Sequence, residues 1–555
     1  DPNYMLAMAC AKHYAVHSGP ERDRHRFNAE PSERDLYETY LPQFERVVRE
    51  GKVAGVMSAY NAVDGVPCSA SSFLLTDLLR KQWGFDGYVV SDCDAVRDIW
   101  GQRQHHYVGT PEEAAAAAVK AGCNLCCGGD YNALVRAVQK GLVTEKEIDV
   151  ALYYTLWTRF RMGLFDPAEK VSYNKYTIKD NDTPEHGQVA LELARQSLVL
   201  LKNDGVLPLN RSKLKRIAVI GPNASSKSML EGNYHGSASH PVTILSGIKE
   251  LAGPNIEVTY SYGCPVTTNK AIAAWSRQDN ETTQRLDELK AEAISNAANA
   301  DLILYVGGIT PAQEGEGFDR DSIELPGVQQ TLIRALHAAG KPMVMVNCSG
   351  SAMALAWEDE NLPAILQAWY PGQAGGRAVA EVLFGETNPS GHLPVTFYRA
   401  TSDLPAFTDY SMSNRTYRYF SGKPLYAFGH GLSYTKFDYK GGKLDSKKIA
   451  VNGTVKITFT VKNSGKRDGD EVAQVYFRQV KPTVPQARLA LCGFARVSLK
   501  HGESRKITIE VPAARLRYWD TAKKQYVVEP GDYEFLVAAA SDDIRLKLPA
   551  TVAAR

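Results

Sequence analysis

Four short apolar runs, at residues 5–16, 53–63, 88–91 and 121–125, alternate with amphipathic stretches at 33–50, 74–82, 111–120 and 131–140. Apolar runs of this length bounded by turn residues read as buried strands, and the stretches between them carry helical spacing. Strand and helix in alternation imply a parallel sheet, because a parallel pair needs a crossover long enough to hold a helix. Residues 1–165 therefore spell four βα units. Eight units and about 250 residues make a (β/α)8 barrel of the TIM type, so the expectation is a partial barrel, its C-terminal half. Half a barrel leaves a bare strand edge and an uncovered core. The other half is expected from upstream sequence or from another chain.

The third run, Tyr88-Val89-Val90-Ser91, ends abruptly in Asp92-Cys93-Asp94. In a parallel sheet the C-terminal strand edge is where ligands bind, which makes Asp92 a functional candidate. The plainer reading is an Asp that caps the next helix. Lys12-His13 and Met57-Ser58-Ala59-Tyr60-Asn61 end the two preceding strands in the same way, so polar groups from successive strand ends share one rim.

Residues 166–185, with Asp166-Pro167 and scattered Tyr, Asn and Lys, read as a linker. Over 186–425 strands recur at 216–220, 256–260, 302–306 and 343–347. Helices are expected at 188–201, 283–299 and 326–339, giving an α/β sandwich domain. Neither Gly307-Gly308 nor Gly372, Gly375 and Gly376 has dinucleotide or P-loop spacing. Over 426–555 the rhythm changes to period two, at 456–462, 471–479, 504–511 and 531–538, which predicts an antiparallel β-sandwich of the fibronectin type III sort. The fold class is multidomain, α/β plus all-β.

Lys plus Arg is 64 and Asp plus Glu is 62, so no net field favours nucleic acid or an anionic membrane. No run of 18 apolar residues exists, and the opening Asp1-Pro2-Asn3-Tyr4 lacks a charged-then-apolar leader, so neither a membrane span nor an intact signal peptide is expected, with removal of a leader left open. Of the nine cysteines, Cys123, Cys126 and Cys127 cluster as C-x-x-C-C without the second pair of a zinc ribbon. A disulfide between Cys93 and a member of this cluster fits better, in an oxidising compartment, hence secreted or periplasmic. A homodimer stays open as the assembly.

On a helix, His13, His17 and Glu21 would fall on one face, a metal surface and the basis of a rival metallohydrolase reading. Gly19-Pro20 should break such a helix before Glu21, so no metal or cofactor is expected. In the second domain, Gln313-Glu314-Gly315-Glu316-Gly317-Phe318-Asp319-Arg320 follows a strand. A charged loop is usually a solvated one, but glycine on both sides of Glu316 suits a loop that must reach something. One acid from each domain would supply the two carboxylates that acetal hydrolysis needs.

These residues resemble glycoside hydrolase family 3, through Lys12-His13, Met57–Asn61, Gly84–Asp92, Glu314–Arg320, Asn388-Pro389-Ser390-Gly391 and Phe428–Thr435. The resemblance spans essentially the whole chain. It implies that Asp92 is the nucleophile, that Glu316 is the acid/base with Glu314 in reserve, and that Lys12, His13, Met57 and Tyr60 line a sugar pocket. Glu21 is grouped with this substrate-binding set. Many β-glucosidases of the family carry Trp after the nucleophile, whereas Cys93 resembles the β-xylosidase branch. There it is expected to pair with Cys127 and narrow the space for a hydroxymethyl group, which xylose lacks. The family's further sugar-holding acid and Arg precede this numbering. The implied activity is a retaining, exo-acting β-1,4-xylosidase on xylo-oligosaccharides, with β-glucosidase or α-L-arabinofuranosidase as alternatives within the family. The alternative of another class is a non-catalytic sugar-binding protein built on a real half barrel.

Overall fold

The protein is described by a computed structural model covering residue 1, residues 3–269 and residues 285–554. Asp1–Asp180, Ala406–Met412 and Tyr518–Val527 pack as one compact unit, and Asn181–Pro405, Ser413–Arg517 and Val528–Arg555 as another.

In the first unit, β1 (Cys10–Tyr14), β2 (Gly55–Ser58) and β3 (Tyr88–Ser91) form a parallel sheet with β2 central. Ser58 pairs with Ser91, so the strands end level and their next residues share one rim. The fourth expected strand shrinks to a single bridge between Leu125 and Val90. The reason lies in the preceding helix, Pro111–Ala121, which starts on a Thr110 cap and ends on Gly122 at φ 107°. A left-handed glycine ends a helix cleanly, and here it leaves too few residues before the Cys126-Cys127 turn for a full strand.

The expected helix at 33–50 is broken as well. A π turn at Leu36–Tyr40 precedes the helix Pro42–Arg49, because Pro42 has no N–H to continue the ladder. Residues 131–140 are split into a 3-10 turn, Asp130–Ala133, and a short helix, Leu134–Gln139. No helix joins His13 to Glu21. His13 lies in β1, and Glu21 opens a separate 3-10 turn after Pro20, so the three residues of the metal reading do not share a helical face.

In the second unit, β4 (Val199–Asn203), β5 (Arg216–Ile220), β6 (Glu257–Ser261), β7 (Leu302–Gly308), β8 (Met343–Cys348) and β9 (Ala364–Gln367) form one sheet. Its order is β4-β9-β8-β7-β5-β6, parallel except for β4. Alternate residues bury on opposite faces: Leu304, Val306, Val344 and Val346 in one core, Ile303, Tyr305, Met343 and Met345 in the other. The helix expected at 188–201 instead spans Pro184–Ser197, capped by Thr183, and the β-branched and leucine run after it becomes β4. The helix expected at 283–299 is Leu286–Ala298; its first residues, 283 and 284, lie outside the described residues.

The all-β part of this unit is a three-stranded and a five-stranded sheet packed over Val455, Phe459, Val475, Ile507, Phe535 and Val537. Asn388 and Ser390 bind it directly, Asn388 Nδ2 donating to Asp468 O at 2.9 Å and Arg496 Nη2 to Ser390 Oγ at 2.6 Å. The Asn-Pro-Ser-Gly motif is thus part of a structural seam.

Segment 518–527 is a two-stranded hairpin, Tyr518–Asp520 with Gln525–Val527, and belongs to the first unit. Trp519 stacks on Tyr37 with centroids 3.5 Å apart, and its indole N–H donates to Glu33 at 2.9 Å.

Candidate functional site

Beyond the level end of the three-stranded sheet, the chain after β3 turns sharply. Asp94 takes φ 63°, and its N–H donates to Cys127 O at 2.7 Å. Cys127 N–H in turn donates to Ser91 Oγ at 3.1 Å, and Cys93 and Cys127 are joined by a disulfide with Cα atoms 4.4 Å apart. This lattice fixes Asp92, which is 5% exposed. Its main-chain N–H donates to Ser58 O at 3.1 Å, and its carbonyl accepts from Ala95 N–H at 3.0 Å. Its side chain does not cap the helix that follows. Oδ1 accepts from Cys93 N–H at 2.9 Å, and Oδ2 lies 3.2 Å from His13 Nε2. Asp92 is therefore a buried carboxylate aimed by two contacts from its own unit.

His13 stacks against His17 at 4.2 Å between centroids, and His17 lies 6.5 Å from Tyr60. Burial, then the neighbouring His13 charge, press the His17 imidazole down to about 3. His17 is thus a neutral ring in the wall of the site. Tyr60 is buried beneath the Arg24 guanidinium, 5.1 Å away, and its carbonyl contacts His105 Nε2 at 2.8 Å. Glu21 does not reach into a metal cluster: Arg24 holds both its oxygens at 2.7 and 2.9 Å. Met57 sits in β2 beside Val90, half-buried, and Lys12 is exposed in β1.

The rim also holds residues that carried no signal in the sequence. Asp98, 2% exposed, accepts from or donates to His25 Nδ1 at 2.8 Å, and His25 packs edge-on against Tyr60 at 4.6 Å. Burial raises Asp98 to about 6, against the opposing pull of His25. Pairs separated by 73 residues leave no local pattern to read.

In the second unit, the loop carrying Glu314 and Glu316 leaves the C-terminal end of β7. In the order β8-β7-β5-β6 the chain changes direction between β5 and β7, and such a switch point is where open α/β sheets bind ligands. The two acids on this loop differ. Glu314 accepts from Gly350 N–H at 2.5 Å and from the Ser351 and Tyr370 hydroxyls, with Arg320 Nη2 3.8 Å away. It staples the loop to the turn after β8. Glu316 is exposed, accepts from the Tyr234 hydroxyl, and precedes Gly317 at φ 91°. The left-handed conformation at Gly317, open to glycine without strain, lets the loop turn directly after Glu316.

Sequence profiles of known families match three stretches: the glycosyl hydrolase family 3 N-terminal domain over residues 5–155, the C-terminal domain of the same family over 198–434, and a fibronectin type III-like domain over 471–541. A xylan 1,4-beta-xylosidase of Xylanibacter ruminicola is 34% identical over 99% of this chain and 79% of its own length. A beta-xylosidase of Formosa agariphila is 36% identical over 98% and 75%. A periplasmic beta-glucosidase of Salmonella typhimurium is 34% identical over 97% and 72%. Among solved structures, a family 3 exo-beta-xylosidase in complex with a xylobiose aziridine activity-based probe superposes with a TM-score of 0.89 at 30% identity, covering 100% of this chain and 73% of that one. The matched domains and the identity held over nearly the full length establish that the chain belongs to glycosyl hydrolase family 3.

Proposed function

We propose that the protein is a retaining, exo-acting β-glycosidase that releases xylose from the non-reducing end of β-1,4-xylo-oligosaccharides. The observation that carries this reading is Asp92: a buried carboxylate at the C-terminal edge of a parallel sheet, contacted by His13 Nε2 and Cys93 N–H. In the proposed reaction an Asp92 oxygen attacks the anomeric carbon as the glycosidic C–O bond breaks, and Glu316 gives its proton to the leaving oxygen. Glu316 then takes a proton from water, which attacks the glycosyl ester and frees Asp92. Retaining chemistry calls for carboxyl groups roughly 5 to 5.5 Å apart in the working enzyme.

Glu316, not Glu314, is proposed as acid/base, because the Glu314 carboxylate is already engaged by three donors that hold the loop. Xylose is favoured over glucose by the xylosidases among the relatives and by the Cys93–Cys127 disulfide, which immediately follows the nucleophile where an aromatic side chain would otherwise stand. The same disulfide and the periplasmic relative support action outside the cytoplasm. No helix among the described residues is long and apolar enough to cross a membrane.

Parallel assays on nitrophenyl β-xyloside, β-glucoside and α-L-arabinofuranoside test the substrate, with xyloside expected to have the highest kcat/KM. Proton NMR of the first product tests the stereochemistry; β-xylose is expected, and first-formed α-xylose contradicts retention. Absence of all turnover in the presence of sugar binding would favour the sugar-binding reading.

A further inference from the structure

The rings beside Asp92 form a connected series whose inner members are largely buried and whose last member is half-exposed. His13 touches the carboxylate and its side chain is 14% exposed; His17, Tyr60 and His25 follow at centroid steps of 4.2, 6.5 and 4.6 Å, and the His25 side chain is 50% exposed. The series runs from the buried carboxylate out to open surface. At its outer end a carboxylate that is nearly fully buried, Asp98, faces Nδ1 of that half-exposed imidazole at 2.8 Å. Placing an acid there is costly: burial works against its charge, and Asp94 and Asp130 add to the penalty. A histidine that merely filled space would not need it. What the pair achieves is orientation: with Nδ1 fixed on Asp98 and the ring edge set against Tyr60, Nε2 is left as the polar atom available to a ligand.

A sugar seated on Asp92 occupies the buried end of the series, so the exposed end faces what is attached to that sugar. We propose that His25, oriented by the positioning residue Asp98, determines specificity on the leaving-group side by hydrogen-bonding a hydroxyl of the second sugar through Nε2. This rests on the glycosidase reading above. It assigns recognition of a polyhydroxylated leaving group, as opposed to an aryl group, to one residue pair.

The test compares xylobiose with 4-nitrophenyl β-xyloside, whose leaving group has no sugar hydroxyls. One neutral hydrogen bond corresponds to a change of about tenfold. His25→Ala should lower the ratio of kcat/KM for xylobiose over the aryl xyloside by about that factor, through KM. Asp98→Asn should move the ratio in the same direction by less, and His25→Gln should restore part of it. Equal losses on both substrates, or no loss on either, overturn the proposal. Unchanged thermal transitions show that the variants fold. Calorimetric titration of xylose and xylobiose into Asp92→Asn protein, with and without His25→Ala, keeps this question separate from catalysis. If the wild type cleaves neither substrate, the glycosidase reading fails. The contact of His25 with the second sugar is then read from binding alone: it holds if the substitution weakens xylobiose and spares xylose, and falls if both sugars or neither change.

Discussion

His17 is a partly buried base between His13 and Tyr60, and its depressed pKa carries a stability consequence. Between about 3 and 6.5 the unfolded chain binds a proton at His17 that the folded protein does not. Stability therefore rises with pH across that window and is lost as pH falls through it. His17→Asn is expected to flatten the slope of unfolding free energy against pH by close to one proton between pH 6 and 4, read by urea unfolding at several pH values. An unchanged slope would mean that His17 is protonated in the folded state. The two glutamates of the β7 loop are expected to separate as well. Glu316→Gln should cut turnover by several orders of magnitude while leaving the melting temperature unchanged. Glu314→Gln should lower both, since an amide replaces one of the two carboxylate oxygens that accept from Gly350, Ser351 and Tyr370. At this scale the sequence was only partly readable. Asp92 announces itself as an acid at the end of an apolar run, and Glu316 as an acid between glycines. The Asp98–His25 pair does not, because its partners come from distant stretches and neither sits in a distinctive pattern.

Among elements, the β-sandwich holds a carboxyl that works against it. Glu471 is buried in the strand Gly469–Gln479, accepts from Tyr439 OH at 2.5 Å, and is pushed up to about 7 by burial. The folded state keeps this proton to higher pH than the unfolded chain, so stability falls as pH rises from about 4.5 to 7 and the cost persists above. Glu471→Gln should raise the melting temperature relative to wild type at pH 8 more than at pH 5, by an amount corresponding to at most about 3 kcal/mol. Equal effects at the two pH values would contradict the assignment. The hairpin Tyr518–Val527 offers a second case. Trp519→Ala removes a stacked indole and its bond to Glu33, and a loss of about 3 kcal/mol is expected for a buried tryptophan. A double-mutant cycle with Tyr37→Ala should return a coupling of about 1 kcal/mol, measured by denaturant unfolding. Element types were legible wherever period and length agreed, as for β5, β7 and β8. The sequence is ambiguous where an apolar run suits either state, as at 198–203, or where a proline or left-handed glycine shifts a boundary by a few residues, as at Pro42 and Gly122.

For the whole molecule, the chain order conceals which parts pack together. The sequence reads as successive stretches, yet Ala406–Met412 and Tyr518–Val527 pack with Asp1–Asp180, while the α/β sheet and the β-sandwich share the other unit. Such returns are carried by side chains like Tyr410, whose OH accepts from Gly19 N–H at 2.6 Å, and Tyr526, whose OH donates to Tyr37 O at 2.5 Å. An isolated tyrosine does not reveal its distant partner. The fold class, by contrast, was readable because period and strand spacing survive in one chain, and the family because its motifs recur in order from Lys12 to Thr435. The role of Asp92 is the central claim, and a covalent trap tests it most directly. Incubation with a 2-deoxy-2-fluoro-β-xyloside bearing a good leaving group should leave one fluoroxylosyl group on the protein. Peptide mass mapping should place it on the segment containing Asp92, with none formed in Asp92→Ala. A fluoroxylosyl ester on any other carboxylate, or xyloside turnover that persists in Asp92→Ala, would contradict it.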